Sequence, residues 1–197
     1  MKEMLGEEYA AFYASYDLPK YQALRINPLK TERDTFLLQA PFSLNRVPWT
    51  TNGYYYSGND QPGRHPYHEA GVYYIQEPSA MAPAEYLMAE PGERILDLCA
   101  APGGKSSQIA CSMQGEGLIV CNEIHPARAK ILSENIERMG VCNALVTNET
   151  PQKLSDNFRE YFDRILVDAP CSGEGMFRKN EDACDEWSPE NVENCAA

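Results

Sequence analysis

The sequence predicts an α/β fold: a parallel sheet covered by helices over residues 81–197, preceded by a small α+β domain over residues 1–80. Three observations predict it. From residue 94 onward, short apolar runs alternate with helix-like segments. A loop of small residues follows the first of those runs. Upstream of residue 81 that rhythm is missing, and Tyr, Pro and Asn are abundant.

In the first part, residues 24–30 (Leu-Arg-Ile-Asn-Pro-Leu-Lys) read as a strand and turn. Residues 49–56 read as a hairpin about Asn52-Gly53, because that dipeptide readily supplies the positive φ angles of a tight turn. The boundary between the two parts falls near Pro78 and Pro83.

Beyond it, residues 94–98 form the first apolar strand and residues 106–113 a helix. Leu118–Asn122 is a second strand, and Pro126–Met139 a helix opened by a proline that needs no N–H there. Ala129, Ile131, Leu132, Ile136 and Met139 recur at near-helical spacing, which predicts one buried face. Ala144–Thr147 and residues 164–168 supply the third and fourth strands. Sheets in α/β domains usually hold more strands than this. The fourth strand is therefore expected to have a bare edge, and the chain to be a fragment or to be completed by another chain.

Composition narrows the classes. Hydrophobic residues make up 43% of the chain, and no apolar run approaches the roughly 18 residues of a membrane helix. The N-terminus lacks the charged-then-apolar order of a signal peptide, so a cytoplasmic protein with no membrane partner is expected. Seven cysteines without a repeated C-x-x-C argue against a disulfide framework and a structural zinc, so reduced thiols are expected. His65 and His68 share an H-x-x-H spacing, but two ligands without a third predict loop histidines and no metal. The net charge of -12 opposes tight non-specific binding of nucleic acid, although half of the deficit lies in the last 17 residues.

The chemistry concentrates in two motifs and one acid. Residues 97–105 read Asp-Leu-Cys-Ala-Ala-Pro-Gly-Gly-Lys. A backbone so bare can lie flat against a ligand at a helix start. Gly104-Lys105-Ser106 matches the end of a phosphate-binding Walker loop, which also requires a glycine at position 99. That position is Cys99, and Pro102 removes an N–H that would wrap phosphate, so a P-loop is the weaker reading. The loop taken alone is also compatible with a plain strand-to-helix turn. Glu123 ends the second strand, where the carboxylate of a βαβ nucleotide site accepts ribose hydroxyl protons; on position alone, a solvated strand-end acid is the weaker alternative. Residues 168–175 read Asp-Ala-Pro-Cys-Ser-Gly-Glu-Gly at the same carboxyl edge, placing Asp168 and Cys171 beside the expected ligand. A thiol there can act as a nucleophile if nearby cations favour its thiolate, and Arg178 and Lys179 are close in sequence.

The pair formed by residues 97–105 and 168–173 resembles the signature of the Sun (Nop/Sun) family of RNA cytosine-5 methyltransferases. Residues 24–30 and 73–81 are similar to its bacterial RsmF-like branch, which methylates small-subunit ribosomal RNA. The resemblance implies a Rossmann-like S-adenosylmethionine-dependent methyltransferase fold, here C-terminally truncated, with an N-terminal RNA-binding or accessory domain. It implies that Cys99, Ala100, Ala101, Pro102, Gly103, Gly104 and Lys105 contact the cofactor S-adenosylmethionine. Glu123 then matches the ribose acid, and Asp168 an acid that borders the cofactor and contacts the target cytosine. A further family acid near the adenine matches Thr150 by spacing, leaving Glu149 as the candidate. Cys171 matches the cysteine that releases product, whereas the attacking cysteine belongs to a Thr-Cys motif that this sequence lacks. Cys184 and Cys195 do not replace it. The implied activity is methylation of carbon 5 of cytosine in 16S ribosomal RNA, with cofactor binding but little turnover expected of this chain. The alternatives are a P-loop-like nucleotide-binding protein and a non-catalytic RNA-binding module.

Overall fold

The computed structural model describes residues 2–177 and 187–196. In chain order it contains α1 (Lys2–Leu5), α2 (Tyr9–Ala14), β1 (Ala23–Ile26), α3 (Arg33–Gln39), β2 (Leu44–Arg46), β3 (Gly53–Tyr56), α4 (Pro66–Glu69), β4 (Tyr73–Ile75) and α5 (Ala82–Leu87). There follow β5 (Arg94–Asp97), α6 (Gly104–Met113), β6 (Leu118–Asn122), α7 (Pro126–Met139), β7 (Ala144–Thr147), α8 (Pro151–Asn157), β8 (Arg164–Leu166) and α9 (Pro189–Ala196). Contacts group the chain into two compact units: Tyr21–Ala169, and the chain ends Met1–Lys20 with Pro170–Ala197. The expected division at residue 80 separates the two sheets, while this grouping places both sheets in the larger unit.

The first sheet is antiparallel, in the order β2-β3-β1-β4. All four residues of β1 are buried, as a central strand covered on both faces requires. Leu24 and Ile26 pack with Phe36, Tyr54 and Tyr73, and Ala23 packs with Val47 and Met81. The hairpin predicted about Asn52-Gly53 is wider than expected: β3 pairs with β2, Leu44 opposite Tyr56, so residues 47–52 form the connection. Gly53 begins the strand instead of turning the chain. It is glycine for lack of room, since a Cβ there would overlap Thr50 and Met81.

The second sheet is parallel, in the order β7-β6-β5-β8, so the strand order reverses beside β5. One face buries Ile95, Ile109, Met113, Ile119, Leu132 and Ile136 against α5, α6 and α7. The opposite face sets Leu96 and Val120 against Leu154 of α8. The expected stripe on α7 holds at Ala129, Leu132, Ile136 and Met139, whereas Ile131 is 48% exposed because it falls off the face that meets the sheet. Among the described residues β8 pairs only with β5, and Ile165 on it is 53% exposed.

Further segments differ from the sequence expectation, β5 among them, which ends at Asp97, one residue early. α6 starts at Gly104, two residues early, because Gly103 takes φ +109 and ends the loop there. β8 stops at Leu166, leaving Val167 and Asp168 beyond the ladder. α8 was not foreseen, although Thr150 caps it, its hydroxyl accepting from the Lys153 N–H at 3.3 Å, and Pro151 opens it. In the unit of the chain ends, α2 pairs Tyr9 with Tyr13 and is followed by an edge contact of Phe12 with Tyr16.

Candidate cofactor pocket and catalytic edge

The loop between β5 and α6 lies at the carboxyl edge of the parallel sheet, beside the point where strand order reverses, which is where open α/β sheets bind ligands. Its shape comes from a chain of main-chain bonds. The Leu98 N–H donates to Leu166 O, the Ala100 N–H to Asn122 O at 2.8 Å and the Gly103 N–H to Ala100 O at 2.8 Å. Ala101 and Pro102 are joined by a cis peptide. Gly103 faces α7 so closely that a Cβ would sit 3.3 Å from Leu132 Cδ1, and its positive φ independently favours glycine.

Side chains from α7 hold the carbonyls at the loop tip. Arg128 donates to Ala101 O at 3.1 Å, and the Asn135 amide to Pro102 O at 2.9 Å. Below the loop, buried Asp97 accepts a 2.7 Å bond from the Ser106 hydroxyl. Burial outweighs that bond and the nearby Lys105, lifting the Asp97 pKa to about 6.

Glu123 lies just beyond β6 and is 3% exposed. It accepts from the His125 N–H at 2.9 Å and meets Arg128 at 3.3 Å. Arg128 thus fastens this acid and the Ala101 carbonyl to one guanidinium. Buried Asn122 does the same for the neighbouring turn, donating to Leu98 O and Glu149 O while accepting from Thr147 Oγ1 and the Glu149 N–H.

Across the loop, Lys105 Nζ meets Asp168 Oδ2 at 2.6 Å. The ammonium is mostly enclosed, and Asp168 is more open to solvent. Half-buried Cys99 has its thiol pKa raised by burial and then by the negative charges of Asp97, Glu123 and Asp168. That environment disfavours its thiolate, the nucleophilic form.

The structure therefore brings together Cys99, Ala100, Ala101, Pro102, Gly103, Gly104, Lys105, Glu123 and Asp168 around one edge. Glu149 shares that edge through its backbone, while its carboxylate pairs with Lys153 at 2.9 Å. Thr150, the position that spacing matched to an adenine acid, serves as a helix cap. Cys171 is exposed and falls in the unit of the chain ends. Arg178, Lys179 and Cys184 lie outside the described residues. The six described cysteines are free. His65 caps α4 by accepting from the Tyr67 N–H at 3.2 Å, and His68 lies 3.4 Å from Glu69. Sequence reasoning missed Arg128, Asn122 and Asn135. Only Asn122 carried a local signal, as the polar residue closing an apolar strand beside Glu123.

The electrostatics distinguish the loop from a phosphate cradle. Three carboxylates, Asp97, Glu123 and Asp168, surround it, and its lysine already faces one of them. A triphosphate would meet net repulsion, whereas a cationic ligand with ribose hydroxyls meets acceptors.

Comparison with known proteins agrees with this geometry. Residues 84–197 match the family model of the 16S rRNA methyltransferase RsmB/F, and residues 1–78 match the N-terminal domain of 16S rRNA methyltransferase RsmF. The ribosomal RNA small subunit methyltransferase F of Escherichia coli O157:H7 is 40% identical over 195 residues, covering 94% of this chain and 41% of that protein. The same-named protein of Erwinia tasmaniensis is 38% identical over 208 residues, covering 100% of this chain and 44% of that one. The chain thus spans less than half the length of these curated relatives. Among solved structures, a methyltransferase homolog protein from Pyrococcus horikoshii superimposes with a TM-score of 0.79 at 31% identity, covering 91% of this chain and 60% of that one. NSun6 from Pyrococcus horikoshii, crystallised with SFG, superimposes with a TM-score of 0.82 at 20% identity, covering 99% and 74%. The fold is the Rossmann-like one of S-adenosylmethionine-dependent methyltransferases. The chain belongs to the RsmB/F family of 16S rRNA methyltransferases.

Proposed function

We propose that this chain carries the S-adenosylmethionine site of an enzyme that methylates carbon 5 of cytosine in 16S ribosomal RNA. The observation that carries the reading is the ring of groups around the residue 99–105 loop: buried Glu123 on one side and the Lys105–Asp168 pair on the other. Carboxylate acceptors and a bare backbone fit a cationic nucleoside. S-adenosylmethionine, when bound, supplies an electrophilic methyl group on a sulfonium.

In this reading Glu123 accepts the ribose hydroxyl protons, with Arg128 and the His125 N–H fixing the direction of its carboxylate. Cys99, Ala100, Ala101, Pro102, Gly103 and Gly104 present backbone to the cofactor, and Glu149 borders the adenine. Asp168, held by Lys105, faces the target cytosine. Carbon 5 of cytosine is a poor nucleophile until a thiolate adds to carbon 6, and loss of the carbon 5 proton after transfer expels that thiol. Cys171 is assigned to product release. The sequence contains no Thr-Cys pair to make the attack, so the chain is expected to bind cofactor with little turnover. The sheet formed by β1–β4 is assigned to RNA contact as part of an N-terminal accessory domain over residues 1–80, and residues 81–197 to the methyltransferase domain. No described helix is long and apolar enough to cross a membrane. The reading is of a cytoplasmic enzyme that requires no metal.

Chemical modification of Lys105 tests the choice of ligand. Protection by S-adenosylmethionine and not by ATP with magnesium supports the proposal; the opposite pattern favours a P-loop-like nucleotide site. Retained RNA binding with no protection by either favours a non-catalytic RNA-binding module.

A further inference from the structure

β1 carries one charged residue among aliphatic ones, and it is as buried as they are: Arg25 is 1% exposed. Taking a guanidinium out of water is costly unless its donors are used. None of the salt bridges among the described residues includes it. Its donors go to neutral groups instead. Nε donates to Gln76 Oε1 at 2.9 Å, and Nη2 to Ser107 Oγ at 2.8 Å and to the Gly104 carbonyl at 3.0 Å. Nη1 faces Cys111 Sγ at 3.8 Å, and the Tyr74 ring lies 5.8 Å from the guanidinium carbon.

Gln76 follows β4, so one arginine joins the antiparallel sheet to the first turn of α6, the turn that closes the cofactor loop. A cation beside the first turn has the wrong sign for the helix dipole, so helix stability does not account for it. The same turn is also seated sterically. A Cβ on Gly104 would lie 3.2 Å from Tyr74 Cε1 and 3.5 Å from Gln76 Nε2. Gly103 is pressed against α7 on the other side. The helical end of the loop is therefore packed on two sides, and Arg25 is one of its polar ties, beside Ser106–Asp97 and Lys105–Asp168.

We propose that Arg25 is a positioning residue for the cofactor loop, holding the Gly104 carbonyl so that Gly103, Gly104 and Lys105 stand in their binding geometry. The proposal rests on the assignment of that loop to S-adenosylmethionine. A planar fork reaching three acceptors cannot be reproduced by an ammonium, so lysine is a poor substitute.

The test is calorimetric titration of the 197-residue chain with S-adenosylmethionine, for wild type, Arg25→Lys, Arg25→Met and Gln76→Met. Each titration is run well below that variant's ligand-free melting temperature. Hydrogen exchange is followed at the amides of residues 104–107. The expected result is roughly tenfold weaker binding by both Arg25 variants, with faster exchange in that turn. Gln76→Met, which removes one acceptor and leaves Arg25 in place, shifts affinity in the same direction and keeps the test open if Arg25→Met does not fold. Lowered melting temperatures with unchanged affinity, or full rescue by Arg25→Lys, would overturn the role of Arg25. Absence of binding by folded wild type would instead overturn the assignment of the loop.

Discussion

Lys105 and Asp168 meet at 2.6 Å, tying the first turn of α6 to the chain just beyond β8. The pair sits at a partly open edge, so its strength as a stabilising contact is modest and its placement matters more. Replacing Asp168 by Asn is expected to lower stability by less than about 1 kcal/mol, as for other exposed ion pairs. The same variant frees the Lys105 ammonium next to a site for a cationic ligand, and S-adenosylmethionine affinity falls. Thermal melting and titration of one sample check both statements.

Glu123 is buried, charged and anchored by Arg128, so its carboxylate has a fixed direction. Glu123→Gln keeps one oxygen for the His125 N–H but removes the charge. Charge-assisted hydrogen bonds contribute about 1.5–3 kcal/mol, so cofactor affinity is expected to fall roughly 10- to 100-fold. Affinity within twofold of wild type would remove Glu123 from the ribose site.

Asp97 makes stability depend on pH in a defined direction. Its folded pKa, about 6, lies above its ordinary value of 3.8 because burial disfavours the charge. The folded state therefore binds the proton more tightly than the unfolded one. The favourable contribution is complete below the unfolded pKa and is lost as pH rises through about 6. A shift of this size is worth on the order of 3 kcal/mol. Asp97→Asn abolishes this slope, so relative to wild type the variant gains stability between pH 4 and pH 7. Denaturant unfolding of both proteins at those two pH values measures the difference, and parallel curves would contradict it.

Much of the parallel sheet was legible because its strands are short apolar runs bounded by loops: Leu118–Asn122 and Ala144–Thr147 stand as expected. The placement of the residue 99–105 loop and of Glu123 at one sheet edge was legible because βαβ geometry dictates where a bare turn and a strand-end acid fall. Other features depend on contacts that no local pattern encodes. Gly53 reads as a turn residue, yet the crowding of Thr50 and Met81 places it in a strand. Arg25 falls in a segment that reads simply as strand and turn, and its partners Gly104 and Ser107 lie far along the chain. Arg128 sits on the polar side of an amphipathic helix and could not be told from a solvated charge until the loop was seen beneath it. α8 did carry a local signal in Thr150-Pro151, which a motif match at Thr150 obscured.

Gly103 offers a test of the loop that leaves every charge in place. At φ +109 and with Leu132 3.3 Å from a would-be Cβ, alanine is strained by both backbone and packing. Gly103→Ala is expected to cost about 1–2 kcal/mol of stability and to weaken cofactor binding. Wild-type affinity in this variant would mean that the loop's shape is not what the ligand reads.

The central claim is that the edge bounded by residues 99–105, Glu123 and Asp168 holds S-adenosylmethionine. Calorimetric titration of the folded 197-residue chain with S-adenosylmethionine tests it most directly. The account predicts saturable binding at one site, weakened by Glu123→Gln. A folded chain that takes up no S-adenosylmethionine, or binds it equally well without the Glu123 carboxylate, would contradict it.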